Sequence, residues 1–262
     1  MSKFHSLFSG SKGNASVVSS GGRSLLIDAG ASCRQLVNAM NARNIDPSSL
    51  SGILITHTHS DHIKGIRVFC KNYGIKAYGT SATISTLLRD CHINDHQLGG
   101  VLDENIEEIG GFGVSAFPTE HDSDGSCGFR IYTPDERTCA VCTDLGLVTD
   151  TVHNAINGSD MVLLESNYDP DMLRSGSYPV YLKVRISGKE GHLSNKDCAR
   201  EAEKLVLSGT TRLILGHLSE ENNTAFLARQ AVREQLDTSC TCGRDYLLYV
   251  AEREGLKETV IF

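Results

Sequence analysis

The segment THTHSDH, at residues 56–62, constrains this chain more than any other feature, because it follows directly after the short apolar run GILI. Within six residues it places four side chains that can bind a metal ion: His57, His59, Asp61 and His62. His57 and His59 stand two residues apart at the end of a predicted strand, so we expect their side chains to leave the same face. A catalytic zinc ion usually takes three protein ligands and keeps one position open, so four such side chains indicate a site for two ions. A polar loop that merely contains histidines is the alternative, and a cluster this dense argues against it.

The order of the predicted elements favours an α/β fold. Apolar runs predict strands, beginning with ASVVSS and SLLIDAG on either side of a Gly21-Gly22 hairpin turn. Runs such as SCRQLVNAMNARN and SNKDCAREAEKLVLSG predict amphipathic helices, the first capped by Ser32 and the second by Ser194 or Asn195. We also expect one helix through HIKGIRVFCKNY and a last strand at YLLYVAE. Two β-rich halves, each followed by helices, predict a four-layer αββα sandwich with the sheets inside.

The composition and the beginning of the chain indicate a single cytoplasmic domain. No linker of biased composition divides the chain, so we expect one domain over residues 1–262. The start, MSKFHSLFSGSKGN, lacks a long apolar run after a basic segment, and no run of about twenty apolar residues follows, so we expect neither export nor a membrane span. The nine cysteines are odd in number and scattered, which suits reduced thiols.

Two close pairs of cysteines raise the question of a structural zinc ion. Cys139 and Cys142 lie three residues apart in a predicted strand, so their side chains point to opposite faces and cannot share a metal. Cys240 and Cys242 have no second pair at the spacing of a zinc finger or ribbon. We therefore predict no structural zinc at either pair.

The chain is acidic overall but basic in one segment. The formal net charge of −7 disfavours a nucleic-acid partner, but binding depends on a local face rather than on the sum. Between Arg174 and Lys204 seven basic residues stand against four acidic ones. This segment contains EGHLSNKD, the first of two Gly-His-Leu-Ser segments, and the second follows in LGHLSEEN. The local basicity favours a polymeric phosphate substrate.

The motif HTHSDH matches the H-x-H-x-D-H signature of the metallo-β-lactamase fold hydrolases, and the chain resembles that superfamily from its first strand to about residue 224. The resemblance implies three further ligands at strand ends: His121 after FPTE, Asp144 after AVCT and His217 after LILG. The ligands that it implies for one ion are His57, His59, His121 and Asp144. Those that it implies for the other ion are Asp61, His62, Asp144 and His217.

A pair of divalent cations suits hydrolysis. Two cations about 3.5–4 Å apart can acidify a bridging water, and the resulting hydroxide can attack a phosphodiester while both ions stabilise the developing charge. We expect Asp61 to orient that nucleophile. Imidazole and carboxylate ligands suit zinc, manganese or iron, so the sequence leaves the metal open.

The finer resemblance is to the branch typified by the YycJ/WalJ proteins, carried by SGSKGNAS, DAGAS, LLESNYD, GHLSN and GHLSEENN. It implies a 5′-to-3′ exonuclease that acts on double-stranded DNA, with a role in DNA repair. It also implies that Ser11 and Asn14 contact phosphate, although turn chemistry alone explains GSKGN equally well. The chain has no inserted second domain of the kind that larger RNA-processing relatives carry, which argues against RNA processing.

The two Gly-His-Leu-Ser segments are predicted to do different work. His217 follows the apolar run RLIL at a predicted strand end, and the other predicted ligands also stand at strand ends. His192 instead follows a polar, glycine-bearing loop. Because a helix N-terminus attracts anions, we predict that His192 acts as a general acid or donor at the scissile phosphate and that Ser194 contacts the same group. An exposed loop histidine is the alternative. Glu165, at the end of DMVLLE, either orients a ligand histidine or is a plain strand-end carboxylate.

Three other functions stay open. The first is hydrolysis of a small substrate, such as a cyclic phosphodiester, a thioester or a lactam. The second is an iron-dependent oxidoreductase of the same fold, which needs one ion and is disfavoured because Asp61, His62 and His217 complete a second site. The third is a binding protein that a metal stabilises, which is disfavoured because all seven ligand positions are filled. The sequence leaves the oligomeric state open.

Overall fold

The computed structural model describes residues 1–262 and contains two seven-stranded sheets. The first sheet has the strand order β14-β1-β2-β3-β4-β5-β6. Its strands are β1 (Lys3–Phe8), β2 (Ala15–Ser20), β3 (Arg23–Ile27), β4 (Leu50–Ile55), β5 (Ala77–Gly79), β6 (Leu98–Val101) and β14 (Val260–Ile261). Strands β1 to β3 pair antiparallel, and β3 to β6 pair parallel. Gly21 and Gly22 have φ angles of 59° and 80°, so they form the predicted tight turn between β2 and β3.

The second sheet has the order β13-β12-β11-β10-β9-β8-β7. Its strands are β7 (Glu107–Ile109), β8 (Phe112–Pro118), β9 (Cys127–Tyr132), β10 (Thr138–Cys142), β11 (Met161–Glu165), β12 (Arg212–Gly216) and β13 (Leu247–Val250). Strands β7 to β10 pair antiparallel, and β10 to β13 pair parallel. The strands β4, β8, β10 and β12 all end in loops that carry predicted ligands.

Six of the nine helices begin at a residue whose side chain accepts a hydrogen bond from the first turn. They are α1 (Cys33–Asn41), α2 (Ser60–Ile63), α3 (Ile66–Tyr73), α4 (Ser81–Arg89), α5 (Asp150–Ile156), α6 (Pro170–Ser175), α7 (Val180–Ile186), α8 (Asn195–Leu207) and α9 (Ala225–Leu236). The predicted caps Ser32 and Ser194 are confirmed, because the Ser32 side chain accepts from Gln35 N and the Ser194 side chain accepts from Asp197 N.

Three buried clusters show how the layers pack. One joins the inner faces of the sheets, for example Leu25 and Leu54 of the first with Phe129 of the second. A second lies between the first sheet and helices α1, α3 and α4, and a third lies between the second sheet and helices α5, α8 and α9. The predicted four-layer αββα sandwich is therefore confirmed.

Several predicted elements differ from the structure. The run HIKGIRVFCKNY does not form one helix: α2 ends at Ile63 and α3 begins at Ile66. The break follows from Gly65, whose N–H donates to Ala29 O and where a Cβ would lie 2.3 Å from Ala31 O. Strand β13 is not the last, because β14 returns to the first sheet and pairs with β1. Strands β1, β6 and β7 and helices α6 and α7 were not predicted. Of these, β6 and β7 have only four and three residues, and the LGGV of β6 is rich in glycine.

The cysteines form no disulfide, and five of the nine are buried: Cys70, Cys127, Cys139, Cys142 and Cys198. Burial raises the pKa of the Cys70 and Cys198 thiols to about 12. Such thiols act as small core residues. None of the helices has the length and apolar character needed to cross a membrane.

Candidate metal centre

The seven predicted ligands meet at one edge of the two sheets, where the loops after β4, β8, β10 and β12 come together. Their convergence does not rest on strand alternation, however. Strand β4 ends at Ile55, so His57 and His59 extend from the following loop, and their rings meet there rather than on one face of the strand.

The first ligand group consists of His57, His59 and His121. His57 Nε2 lies 3.1 Å from His59 Nδ1, and His121 Nε2 lies 3.3 Å from the same atom. Three ring nitrogens from two distant loops thus face a common point. A metal ion is the partner that such an arrangement of imidazole nitrogens accepts.

The second ligand group consists of Asp61, His62 and His217. Asp61 Oδ2 lies 3.5 Å from His62 Nε2 and 3.9 Å from His217 Nε2. Asp144 lies between the two groups. Its Oδ2 is 3.4 Å from His62 Nε2, and its Oδ1 is 3.8 Å from His121 Nε2 and 3.6 Å from His217 Nε2. One carboxylate can therefore serve both groups.

The ring nitrogens that face away from this point contact fixed partners. His62 Nδ1 lies 2.8 Å from Asp28 Oδ2, His217 Nδ1 lies 2.6 Å from Glu165 Oε1, and His121 Nδ1 lies 3.1 Å from Gly191 O. An imidazole that donates through one nitrogen keeps a lone pair on the other, and this is how proteins orient metal-ligating histidines. The contacts fix the orientation of the rings.

Two buried polar atoms of the site lack any hydrogen-bond partner: His217 Nε2 and Asp144 Oδ2. Leaving such atoms unpaired costs free energy, and each one needs a physical reason. Imidazole and carboxylate groups are ligands for divalent cations, so a cation between the two ligand groups would satisfy both atoms. The residues present therefore fit divalent metal ions.

Three residues at the site adopt a left-handed backbone: Asp28 with φ 59°, Asp144 with φ 59° and His217 with φ 56°. Each follows a strand end, after β3, β10 and β12 respectively. Non-glycine residues rarely adopt this conformation, and the strain tends to occur at functional sites. The backbone is thus strained where it turns these three side chains toward the centre.

Asp28 is a site residue that the sequence analysis missed. Its carboxylate accepts from Thr56 N at 2.9 Å and from Thr56 Oγ1, in addition to its contact with His62. It is buried and fixes both ends of the loop that carries the metal motif. The available signal was its place directly after the apolar run SLLI, at a strand end like Asp144 and His217.

Glu165 is fully buried and holds both Gly-His-Leu-Ser segments. Its Oε1 lies 2.9 Å from His192 Nδ1 and 2.6 Å from His217 Nδ1, while its Oε2 accepts from the backbone N–H groups of Leu145 and Leu193 at 3.1 Å each. Of the two readings of Glu165, the structure supports the acid that orients histidines. His192 itself is partly exposed and lines the cavity over the ligand groups.

The carboxylates of the site raise the pKa values of two of its histidines. Burial alone would lower the pKa of His62, but the charges of Asp144 and Asp28 overcome it and raise that pKa to about 9. Burial likewise opposes protonation of His217, yet Asp144, Asp61 and Glu165 hold its pKa well above the usual value. A metal ion that binds these two rings must displace their protons.

The three predicted substrate residues differ in position. Ser11 is exposed and lines a cavity of about 240 Å³ together with Asp61, Asp144 and His192. Asn14 is buried: its Oδ1 accepts from Gly10 N at 2.9 Å, and its Nδ2 lies 3.2 Å from Asp61 Oδ2.

Ser194 does not line this cavity. It is buried at the start of α8, where its hydroxyl donates to Asp197 Oδ2. The structure therefore brings Ser11 and Asn14 to the site and places Ser194 in a capping contact.

The chain is similar to a known family, to curated proteins and to solved structures. The family described as Beta-lactamase superfamily domain matches residues 23–218. The chain is 35% identical to exodeoxyribonuclease WalJ of Streptococcus pneumoniae, over 94% of this chain and 93% of that protein. It is 32% identical to exodeoxyribonuclease YycJ of Bacillus anthracis, over 89% of each chain. Among solved structures, the metallo-β-lactamase fold protein YhfI of Bacillus subtilis is similar with a TM-score of 0.75 and 18% identity, over 99% of this chain and 98% of that chain.

Proposed function

Because the chain belongs to the β-lactamase superfamily, we propose that it is a nuclease that uses two divalent metal ions to degrade double-stranded DNA from the 5′ end. The curated relatives, which align over nearly the whole chain, are named as exodeoxyribonucleases, and this supports DNA as the substrate. We also propose that the protein acts in the cytoplasm, in DNA repair. We further propose that residues 1–262 form one domain.

The observation that carries the proposal is the position of Asp144 between two complete ligand groups. The first group offers three imidazole nitrogens, and the second offers two imidazoles and the carboxylate of Asp61. A single-ion oxidoreductase would need only the first group. The second group supports a pair of ions, and zinc, manganese or iron fits the ligands.

The metal ions, when bound, would acidify a water molecule and stabilise negative charge on the phosphoryl oxygens. The chain supplies the remaining functions. Asp61 belongs to the second ligand group and lies in the cavity wall, where its carboxylate can orient the attacking water. Asn14 donates to Asp61 and restricts its rotation.

His192 lies on the cavity wall at a place suited to handle the leaving group. Glu165 binds its Nδ1 and so fixes the ring, which leaves the other ring nitrogen to donate a proton to the departing oxygen. Ser11, which is exposed at the mouth of the same cavity, can donate its hydroxyl to a phosphate oxygen. Ser194, which caps α8, is not needed in this scheme.

The test is product analysis on end-labelled duplex and single-stranded DNA, with the protein loaded with zinc or manganese. We expect mononucleotide release from the 5′ end of the duplex and its loss in Asp144→Ala. Intact DNA with both metals, together with rapid hydrolysis of a thioester, lactam or cyclic phosphodiester, would support a small-substrate hydrolase instead. A content of one iron per chain, with no second metal, would support an oxidoreductase.

A further inference from the structure

A second, larger cavity adjoins the metal centre and has a basic lining. It measures about 580 Å³ and shares Ser11 and Asp61 with the cavity over the ligand groups. Its wall also carries Lys12, Lys64 and Arg253. We call the part of the cavity lined by these three residues the basic groove. The three residues come from the loop after β1, the end of α2 and the segment after β13.

Most of the charge in the basic segment noted in the sequence is already paired. Five of its seven basic side chains already bind acids or backbone carbonyls. Their partners are Asp171 for Arg174, two carbonyl oxygens for Lys183, Asp122 for Arg185, Asp197 for Arg200 and Glu201 for Lys204. Arg185 lines the cavity over the ligand groups, but Asp122 binds it. Lys189 and Lys196 take part in no ion pair, and neither lines a cavity beside the metal centre.

The charges in the basic groove are available in different degrees. Lys64 is exposed and takes part in no ion pair. Lys12 and Arg253 share one acid, Glu220, with Arg253 Nε 3.5 Å from Glu220 Oε1. The acids that line the groove are Asp61, which belongs to the metal centre, and Glu254. Lys64 is thus the unpaired cation of the groove, whereas Glu220 partly neutralises Lys12 and Arg253, beside the place where a phosphodiester would be cut.

We propose that the basic groove binds a second phosphate of the nucleic-acid strand whose scissile phosphate lies at the metal centre. This inference rests on the proposed nuclease function. Lys and Arg side chains beside a nuclease site bind backbone phosphates through charge, without reading base sequence. Ser11, common to both cavities, lies between the two phosphates. Glu220 competes with the phosphate for Lys12 and Arg253 and so weakens the contact.

The first test measures DNA binding apart from cleavage, by fluorescence anisotropy of a labelled duplex with the metal-loaded His192→Ala protein, whose activity we expect to be low. Adding Lys64→Ala should weaken binding about tenfold and reduce the slope of log affinity against log salt concentration by about 1. Adding Glu220→Gln should tighten binding several-fold, because it frees two cations. The matched control is Lys76→Ala, at the opposite end of the sheet before β5, which should change neither quantity.

Duplexes with a 5′-phosphate or a 5′-hydroxyl separate the two sources of the second phosphate. If Lys64→Ala loses the same affinity for both duplexes, the second phosphate is an internal backbone phosphate. If it loses affinity only for the 5′-phosphate duplex, the second phosphate is the terminal one. The inference is overturned if Lys64→Ala binds both duplexes as tightly as its parent, or if Glu220→Gln fails to tighten binding.

Cleavage by the otherwise unmodified protein distinguishes the two proposals. If DNA is bound in a Lys64-dependent way but never cut, the nuclease proposal fails and the groove stands. If DNA is cut while its binding does not depend on Lys64, the groove alone fails. In the active protein we expect Lys64→Ala to raise KM for DNA about tenfold more than KM for bis(p-nitrophenyl) phosphate, which has a single phosphate.

Discussion

Nδ1 of His217 and Oε1 of Glu165 lie 2.6 Å apart, although the two residues stand 52 positions apart in the chain. The contact joins the ends of neighbouring strands β11 and β12 and fixes the ring nitrogen that faces away from the second ligand group. The same oxygen binds His192, so one buried carboxylate orients a metal-site histidine and a histidine of the cavity wall.

Glu165→Gln should reduce metal affinity about 10- to 100-fold, because the amide cannot accept from both histidines and both backbone N–H groups. Metal content after dialysis against a graded chelator measures the loss. The control is Glu201→Gln, which changes another buried glutamate that contacts a histidine, His153, between α8 and α5. Wild-type affinity in Glu165→Gln would contradict the orienting role.

His192→Ala should keep two metal ions per chain and lose activity about 10²- to 10⁴-fold, as expected for loss of a general acid. The loss should be much smaller on a p-nitrophenyl phosphodiester, whose leaving group departs without a proton. Metal analysis and the two rates together check the prediction. Loss of metal would instead assign His192 to the ligand set.

Gly30→Ala should damage the second ligand group although Gly30 binds nothing itself. A Cβ at this position would lie 1.6 Å from Asp61 O and 2.5 Å from Asn14 N, so the loop that carries Asp61 must move. We expect about one fewer metal ion per chain and a lower Tm. Gly100→Ala is the control, because its nearest contact would be an ordinary 3.4 Å to the Tyr78 ring. Full metal content in Gly30→Ala would be the contrary outcome.

Metal loading at pH 7.5 should release about two protons per chain, because His62 and His217 have raised pKa values and must lose their protons to become ligands. Calorimetry in buffers of different ionisation enthalpy measures this number. Asp28→Asn removes a charge that raises the pKa of His62, so it should release fewer protons. Equal proton release by both proteins would refute the role of Asp28.

The stability of the protein should fall in acid partly through His5, which is buried in β1. Burial and the charges of Arg43 and Lys3 lower its pKa from 6.5 to about 4. The unfolded chain therefore binds a proton more readily, and the stabilisation is complete above pH 6.5 and lost as the pH falls toward 4, by up to about 3 kcal/mol. Denaturant unfolding should show a shallower fall over this range in His5→Gln. An unchanged slope would count against the assignment.

The sequence alone determined those parts of the protein that depend on short segments. The four side chains of THTHSDH lie within six residues, and the family resemblance that this motif carries implied His121, Asp144 and His217, so short segments led to all seven residues that converge. Helix caps such as Ser32 and the Gly21-Gly22 turn are local for the same reason. The layer order followed from the alternation of strands and helices.

Only the tertiary structure decided the contacts between distant segments. Asp28 reaches His62, Glu165 joins the two Gly-His-Leu-Ser segments, and the terminal strand β14 pairs with β1. Charge shows the difference most clearly. The basic run in the sequence is largely neutralised by its neighbours, whereas the basic groove brings the unpaired Lys64 close to Lys12 and Arg253, which share one acid. Electrostatic interactions depend on distance in space, and sequence separation does not report that distance.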